Sequence, residues 1–172
     1  HSTKLCLSNL TKGVFKMMII PSGKPKIWDK EPEIGAVESQ FAYTGTFHRL
    51  AKAYALEFDP HYLILSPYYG FLRPSTVIPH TYDTRFTLKG ITAETIQLES
   101  LQKQWQELAV SETTITVLGG KKFQPLLSQI LPSGTTLLFP LDSLGGIGVM
   151  QQHLKTAVAK HTPLPYRKKI II

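Results

Sequence analysis

Four continuous apolar runs, each bounded by turn residues, predict buried β-strands. The runs cover residues 14–20, 62–66, 113–118 and 135–139. Because they do not alternate with polar residues, both faces of each strand are expected to be covered, as in a parallel sheet.

Apolar residues at helical spacing predict four helices between and after these strands, over residues 46–58, 92–110, 121–131 and 147–160. Thr44 or Thr46 is the expected N-cap of the first helix. The second is the longest, with Thr92 as its cap and an acidic first turn. The order of elements predicts an α/β fold of three layers, with a mainly parallel central sheet of about four strands and helices on both faces.

The length of 172 residues suits a single α/β domain, which we expect at residues 17–165. Met17 and Met18 lie in the first apolar run and are candidate start residues, so residues 1–16 are predicted to be an extension that derives from an expression vector or an alternative start, or that is mobile. The basic and apolar tail at residues 166–172 is expected either to add an edge strand or to stay mobile.

Composition narrows the partners. No apolar run approaches the roughly 18 residues that a membrane helix needs, and the single cysteine, Cys6, excludes an internal disulfide and a multi-cysteine metal site. We therefore predict a cytoplasmic protein without a membrane partner, a metal or a cofactor. The formal charge of +7 favours a polyanionic partner, nucleic acid or a nucleotide-like ligand, through phosphate neutralisation.

The loops that follow the four predicted strands mark the expected site, because ligands of open parallel sheets bind beyond the carboxyl ends of the strands. These loops are residues 21–40, 67–90, 119–120 and 140–148. The first two are the longest irregular segments of the chain, and long loops at one sheet edge are typical of a pocket.

The first and third loops carry small and basic residues. The sequence after the first strand is suited to binding phosphate through backbone N–H groups and ammonium groups, or it is a solvated turn anchored by Trp28. The candidate ligand contacts in these two loops are Ser22, Gly23, Lys24, Lys26, Gly119 and Gly120.

The fourth loop places glycines ahead of a helix, where an anion can approach the helix N-terminus. Close packing of the helix on the sheet is the alternative reason for these glycines. The candidate contacts here are Asp142, Ser143, Gly145 and Gly146. Ser143 has a second interpretation as a helix cap.

The long second loop combines aromatic and basic residues. Tyrosines stack on bases, and arginines bind phosphate through two hydrogen bonds. Asp83 is either a pocket carboxylate or the ion-pair partner of Arg85. The candidates in this region are Ser66, Tyr68, Tyr69, Arg73, Tyr82, Asp83 and Arg85.

Several stretches resemble an uncharacterised bacterial and archaeal domain family related to YaaA. They are IIPSGKPKIWD, YTGTFHRLAKAYA, LILSPYYGFLRPSTVIPHTYDTRF, TVLGGKKF and PLDSLGGIG, and the similarity extends over about residues 17–165. The resemblance implies DNA binding and a role in the stress response to peroxide. Relatives often carry cysteine and lysine where Ser22 and Pro25 stand here, so a thiolate role does not transfer.

The layout of the four loops is also similar to that of uracil-DNA glycosylases. This analogy implies an extruded base held against Tyr68 or Tyr69, with Asp29 or Asp83 as the catalytic residue that assists N-glycosidic cleavage.

Two classes of function follow. In the first, a basic pocket binds nucleic acid or nucleotides, with or without glycosylase-like action on a base; it predicts one basic face of Lys24, Lys26, Arg73, Arg85 and Lys121. In the second, the chain is a small nucleotide or sugar-phosphate enzyme with a closed pocket. A non-catalytic, stress-related DNA-binding protein is the remaining alternative.

Overall fold

The computed structural model describes residues 16–172. The strands are β1 (Lys16–Pro21), β2 (Val37–Glu38), β3 (Tyr62–Ser66), β4 (Gly70–Leu72), β5 (Val77–Ile78), β6 (Thr114–Val117), β7 (Thr136–Phe139) and β8 (Lys168–Ile171). The α-helices are α1 (Ser39–Ala42), α2 (Thr46–Phe58), α3 (Leu98–Leu108), α4 (Phe123–Ile130) and α5 (Ile147–Ala159), and a short 3₁₀ helix covers Ile27–Asp29. The prediction for residues 1–16 lies outside the described residues, except that Lys16 begins β1.

The main sheet has the strand order β4-β3-β1-β6-β7-β8. The inner strands β3, β1, β6 and β7 are parallel, and Ile19 of β1 lies opposite Leu63 of β3 and Val117 of β6. These are the four strands that the apolar runs predict. The mixed α/β class and the mainly parallel sheet are therefore confirmed.

The predicted count of about four strands is wrong, because the main sheet contains six. The additional strands β4 and β8 pair antiparallel at its two edges, with β3 and β7 respectively. β4 comes from the long second loop and β8 from the tail, which thus adds the edge strand that was one of its two expected states. Both are short, and short edge strands have too few residues to show a period. A separate pair, β2 and β5, forms a two-stranded sheet.

The predicted helix over residues 92–110 is shorter than expected, because α3 begins at Leu98 and ends at Leu108. The Thr95 hydroxyl donates to the carbonyl oxygen of Thr92, and the Gln97 amide donates to the same oxygen. Such side-chain bonds compete with the helical backbone and hold residues 92–97 in turns. The N-cap of α2 is Gly45, between the two threonines expected to cap it.

The sheet separates two hydrophobic clusters. Met17 and Ile19 of β1 belong to a cluster with residues of α3 and α4, whereas Met18 and Ile20 belong to one with residues of α2 and α5. Because successive strand residues point to opposite faces, this division explains why residues 17–20 of β1 are all apolar. No helix within residues 16–172 is long and apolar enough to cross a membrane.

Candidate functional site

A cleft at the carboxyl ends of β1 and β6, the outer cleft, has a volume of about 700 Å³. The loop after β1, the turn after β6 and the starts of α2, α4 and α5 line it. Its polar and small residues are Ser22, Gly23, Lys24, Gly45, Thr46, His48, Gly119, Gly120, Lys121, Lys122 and Gln151, and its apolar residues are Pro21, Pro25, Phe47, Leu88, Phe123, Ile147 and Met150. The first and third predicted loops therefore meet here.

A smaller cavity of about 370 Å³, the inner chamber, lies beside the outer cleft and shares Ser22, Lys24 and Lys122 with it. The residues that distinguish it come from the first loop, from the end of β3 and from the long second loop. They are Lys26, Leu65, Pro67, Asp83, Thr84, Arg85 and Phe86. The structure thus brings the first, second and third predicted loops to one edge of the sheet.

Three helices begin at the outer cleft. Their first residues, Thr46 of α2, Phe123 of α4 and Ile147 of α5, all line it. Helix N-termini carry a partial positive charge and free backbone N–H groups, which favour anions. They add to the charges of Lys24, Lys121 and Lys122, whereas no acidic residue of the described part of the chain lines the outer cleft.

Lys26 is a buried lysine in the wall of the inner chamber, with a side chain only 3% exposed. Its ammonium donates to the carbonyl oxygen of Lys24 at 2.9 Å and lies 4.4 Å from the centre of the Tyr82 ring. Burial lowers the pKa of Lys26, an effect that the charges of Asp29 and Asp83 oppose.

Lys122 is another lysine in the wall of the inner chamber, and it is half-buried. Its ammonium donates to the carbonyl oxygen of Phe86 at 3.1 Å. Burial lowers the pKa of Lys122, and the nearby charge of Arg85 lowers it further. The chamber therefore holds cations that repel one another.

Asp83 and Arg85 both line the inner chamber, but they do not form the ion pair that was the alternative reading of Asp83. Within residues 16–172 an ion pair joins Lys103 to Glu107, and the His161 ring forms a hydrogen bond with the carboxylate of Glu57. Among residues 16–172, Asp83 is the only carboxylate in the chamber wall. It stays a candidate pocket carboxylate.

Ser66 organises a tyrosine cluster behind Lys26. Its hydroxyl donates to the Tyr82 hydroxyl at 2.9 Å and accepts from the backbone N–H groups of Tyr68 and Tyr69. Tyr82 in turn bonds to the hydroxyl of Tyr43. Ser66 is fully buried, so it fixes the second loop and does not line either cavity.

Tyr68 and Tyr69 lie outside both cavities. The Tyr68 ring is 43% exposed and stacks on Tyr82 with ring centres 5.3 Å apart. The Tyr69 hydroxyl donates to the carbonyl oxygen of His80 at 2.6 Å. The face that Tyr68 turns to Tyr82 is thus occupied, and the base-stacking role of both residues stays a prediction.

The fourth loop contributes less to the cavities than expected, because only Ile147 and the residues after it reach the outer cleft. Asp142 accepts hydrogen bonds from Gln124 and Ser143; although burial acts to raise its pKa, these bonds hold it below the usual range. Gly146 is the N-cap of α5, and Gly145 adopts a φ of 135°, which favours glycine. Asp142, Ser143, Gly145 and Gly146 therefore shape the loop without lining either cavity.

Asp29 and Arg73 are not brought to the cavities. One carboxylate oxygen of Asp29 accepts from the backbone N–H of Lys26 at 2.8 Å, which stabilises the start of the 3₁₀ helix. Arg73 lies at the opposite edge of the sheet, in a cavity of about 430 Å³ that includes Met17 and Tyr62, and donates to the carbonyl oxygen of Leu108. The expected single basic face thus does not include Arg73.

His48 and Lys122 are cleft residues that the sequence candidates did not include. The His48 ring is buried, its Nδ1 lies 2.8 Å from the carbonyl oxygen of Pro21, and its Nε2 has no partner among the described residues. Burial lowers the pKa of His48 to about 4. Their positions in the chain could have identified both residues. A helix that follows a parallel strand begins at the carboxyl edge of the sheet, and His48 and Lys122 both lie at such a helix start.

The fold and the site together define a mixed α/β protein with a cationic cleft at the carboxyl edge of a mainly parallel sheet. The model of the family of unknown function DUF6884 matches residues 32–156, and the chain belongs to this family. It is also similar to the "Uncharacterized protein YfjM" of Bacillus subtilis (strain 168). The two are 36% identical over 144 residues, which cover 83% of this chain and 95% of that protein.

Proposed function

We propose that the chain binds nucleic acid or nucleotides in the outer cleft, with phosphate at its cationic rim and a base against its apolar residues. The observation that carries the proposal is the composition of the lining, in which Lys24, Lys121 and Lys122 stand beside Phe47, Leu88 and Met150. Bases are flat and apolar on their faces, whereas phosphates are anionic, so a nucleotide needs both kinds of wall.

Size and exposure support the proposal. The volume of about 700 Å³ lies within the roughly 300–1,000 Å³ that small-ligand sites occupy. Leu88 and Ile147 are 80% and 60% exposed, which leaves apolar surface at the cleft for a ligand to cover. The three-layer arrangement expected from the sequence is part of this proposal, because helices on both faces direct their N-termini to the same sheet edge.

The test is a titration with nucleotides and with short single-stranded DNA and RNA, measured by calorimetry or fluorescence polarisation at several salt concentrations. We expect affinity to fall linearly with the logarithm of salt concentration. Lys121→Met should weaken binding about tenfold, as loss of a phosphate contact does. Lys103→Met on α3, a solvent-exposed lysine outside the cleft, is the matched control.

The proposal fails if neither nucleotides nor oligonucleotides bind at low salt. It also fails if Lys121→Met and Lys103→Met bind as tightly as the unchanged chain.

N-glycosidic bond cleavage is the second candidate, and the position of Asp83 in the chamber wall favours it. In this reaction water adds to the anomeric carbon and the C–N bond breaks, while Asp83 accepts the proton of water and passes it to the departing base. The proposed layout similarity to uracil-DNA glycosylases belongs to this candidate. The proposed relationship to YaaA favours a different alternative, which is stress-related DNA binding without catalysis.

Chromatography of free bases, after incubation with nucleosides, nucleotides and oligonucleotides, separates these alternatives. We expect Asp83→Asn to bind as before but to release no base. If a bound substrate loses no base with the unchanged chain, the protein binds without glycosidic cleavage, and a search for sugar-phosphate products tests the remaining enzymatic class.

A further inference from the structure

We propose that the inner chamber is a subsite for a phosphomonoester group, so that the ligand is a nucleoside monophosphate or the phosphorylated end of a strand. The inference rests on the proposed function for the remainder of the ligand, which lies in the outer cleft. Lys24, Lys122 and Phe123 line both cavities, so a ligand in contact with one is adjacent to the other.

The charge of the chamber wall is strongly one-sided. The residues described by the structure contribute the cationic side chains of Lys24, Lys26, Arg85 and Lys122 to it and a single carboxylate, that of Asp83. A phosphomonoester carries nearly two negative charges at neutral pH, whereas an internal phosphodiester carries one. The excess of cations therefore favours the terminal group.

Lys26 is the central observation. Its ammonium has three hydrogen-bond donors, yet its protein acceptor is the carbonyl oxygen of Lys24, and no carboxylate of the described residues lies within ion-pair distance. Buried lysines are normally paired with an acid. An anion in the chamber would supply the missing acceptor and charge.

Lys122 and Arg85 likewise have no carboxylate partner within residues 16–172. The Lys122 ammonium bonds to a backbone carbonyl, and Arg85, which also lines the chamber, forms no ion pair within residues 16–172. The lowered pKa values of Lys26 and Lys122 are consistent with mutual repulsion added to burial. A bound dianion would relieve that repulsion.

The sizes of the two cavities indicate which part of the ligand each cavity holds. Its volume of about 370 Å³ is roughly half that of the outer cleft. The larger, more apolar cleft suits a base and sugar, with the internal phosphates of an oligonucleotide at its cationic rim, and the smaller, cationic chamber suits the terminal phosphate. The terminal phosphate would thus lie in the inner chamber, and the base and sugar of the same nucleotide would lie in the outer cleft.

The experiment compares inorganic phosphate, a nucleoside, its 5′-monophosphate, and one oligonucleotide with and without a 5′-phosphate, by calorimetry and by ³¹P NMR. We expect the phosphorylated member of each pair to bind at least tenfold more tightly. Lys26→Met should remove that difference and the binding of inorganic phosphate. Lys30→Met, an exposed lysine four residues along the chain and outside both cavities, should leave both unchanged.

Arg85→Met is a second variant, and circular dichroism checks that each variant is folded. Tight binding of both the mononucleotide and the phosphorylated oligonucleotide supports the subsite, and their relative affinities show whether free nucleotides or strand ends are the ligand. Preference for the oligonucleotide regardless of its 5′-phosphate, with Lys26→Met unchanged, overturns the subsite and leaves the proposed function standing.

If inorganic phosphate binds through Lys26 but no nucleotide or oligonucleotide binds, the anion subsite stands and the proposed function fails. If neither phosphate nor any nucleotide binds, both are overturned.

Discussion

The hydroxyl oxygens of Tyr43 and Tyr82 lie 2.7 Å apart, which joins the end of α1 to the long second loop. Burial raises the pKa of both phenols, so both stay protonated at neutral pH and can share the bond. The Tyr82 hydroxyl also accepts from Ser66. A chain of three hydroxyl groups therefore connects β3, α1 and the loop that carries Asp83 and Arg85.

Replacing Ser66, the buried serine at one end of this chain, should destabilise the fold. Ser66→Ala leaves the backbone N–H groups of Tyr68 and Tyr69 without their acceptor in a buried place. We expect the free energy of unfolding to fall by about 2 kcal/mol, measured by urea denaturation. Ser75→Ala, at an exposed serine, is the control. An equal and small effect of both substitutions would contradict the importance of the chain.

Because of His48, the folded state is expected to lose stability on acidification. Burial lowers its pKa from 6.5 to about 4. The folded state thus binds the proton more weakly than the unfolded state, and the stabilisation present above pH 6.5 is lost as the pH falls towards 4. His48→Gln should flatten the pH dependence of the unfolding free energy in this window, whereas His153→Gln on α5 should not.

The neutral tautomer of His48 supplies an independent check. Its Nδ1 faces the Pro21 carbonyl oxygen, so Nδ1 is expected to carry the proton and Nε2 to be bare. Nitrogen-15 NMR of the imidazole distinguishes the two tautomers. A proton on Nε2, or a pKa near 6.5, would show that the ring is not held as described.

Asp59 is expected to affect the pH dependence of stability in the direction opposite to that of His48. Asp59 is the C-cap of α2, and burial raises its pKa from 3.8 to about 6. The associated stabilisation is present below pH 4 and is lost as the pH rises through 6, because the ionised carboxylate is both desolvated and near the negative end of a helix. Asp59→Asn should raise the unfolding free energy at pH 8 by about 1 kcal/mol, discounted for partial solvent exposure.

The same comparison at pH 4 serves as the control for Asp59, since the native carboxyl is then protonated and the substitution should change little. A stabilisation of equal size at both pH values would mean that the charge of Asp59 is not its cause.

Arg73 should affect stability but not binding. Its guanidinium donates to the carbonyl oxygen of Leu108 at the C-terminal end of α3, at the sheet edge opposite the cleft. Arg73→Met is expected to lower the unfolding free energy by about 0.5 kcal/mol and to leave nucleotide affinity unchanged. A tenfold loss of affinity in a folded Arg73→Met variant would return Arg73 to the binding surface.

The position of Arg73 differs from the predicted one, and it shows which part of the fold could not be predicted from the sequence. Apolar runs identify the four parallel strands, because burial on both faces leaves a continuous pattern. β4, by contrast, has three residues and runs antiparallel to β3, which carries the chain from the carboxyl edge back to the amino edge. The residue that follows β4 is therefore separated from the rest of its loop.

Lys24 and Lys26 were predicted to act together, and the structure does place both in the wall of the inner chamber. Their unequal burial was not predictable, because it depends on the Tyr82 ring, 56 positions further along the chain than Lys26. Sequence patterns report local periods. The contacts that set the environment of a charge are made between distant segments.

The side chain of Gln104 has a consequence for self-association. Its amide oxygen accepts from the N–H of Phe71, and its amide nitrogen donates to the carbonyl oxygen of Tyr69, both at 2.9 Å. One glutamine thus occupies the N–H of Phe71 in β4, which would otherwise be open to a strand from another molecule. At the far edge, β8 carries the exposed Lys168 and Lys169, whose charges disfavour edge-to-edge pairing with a second copy. The two edges therefore oppose strand addition by different means, a side-chain amide at one and electrostatic repulsion at the other.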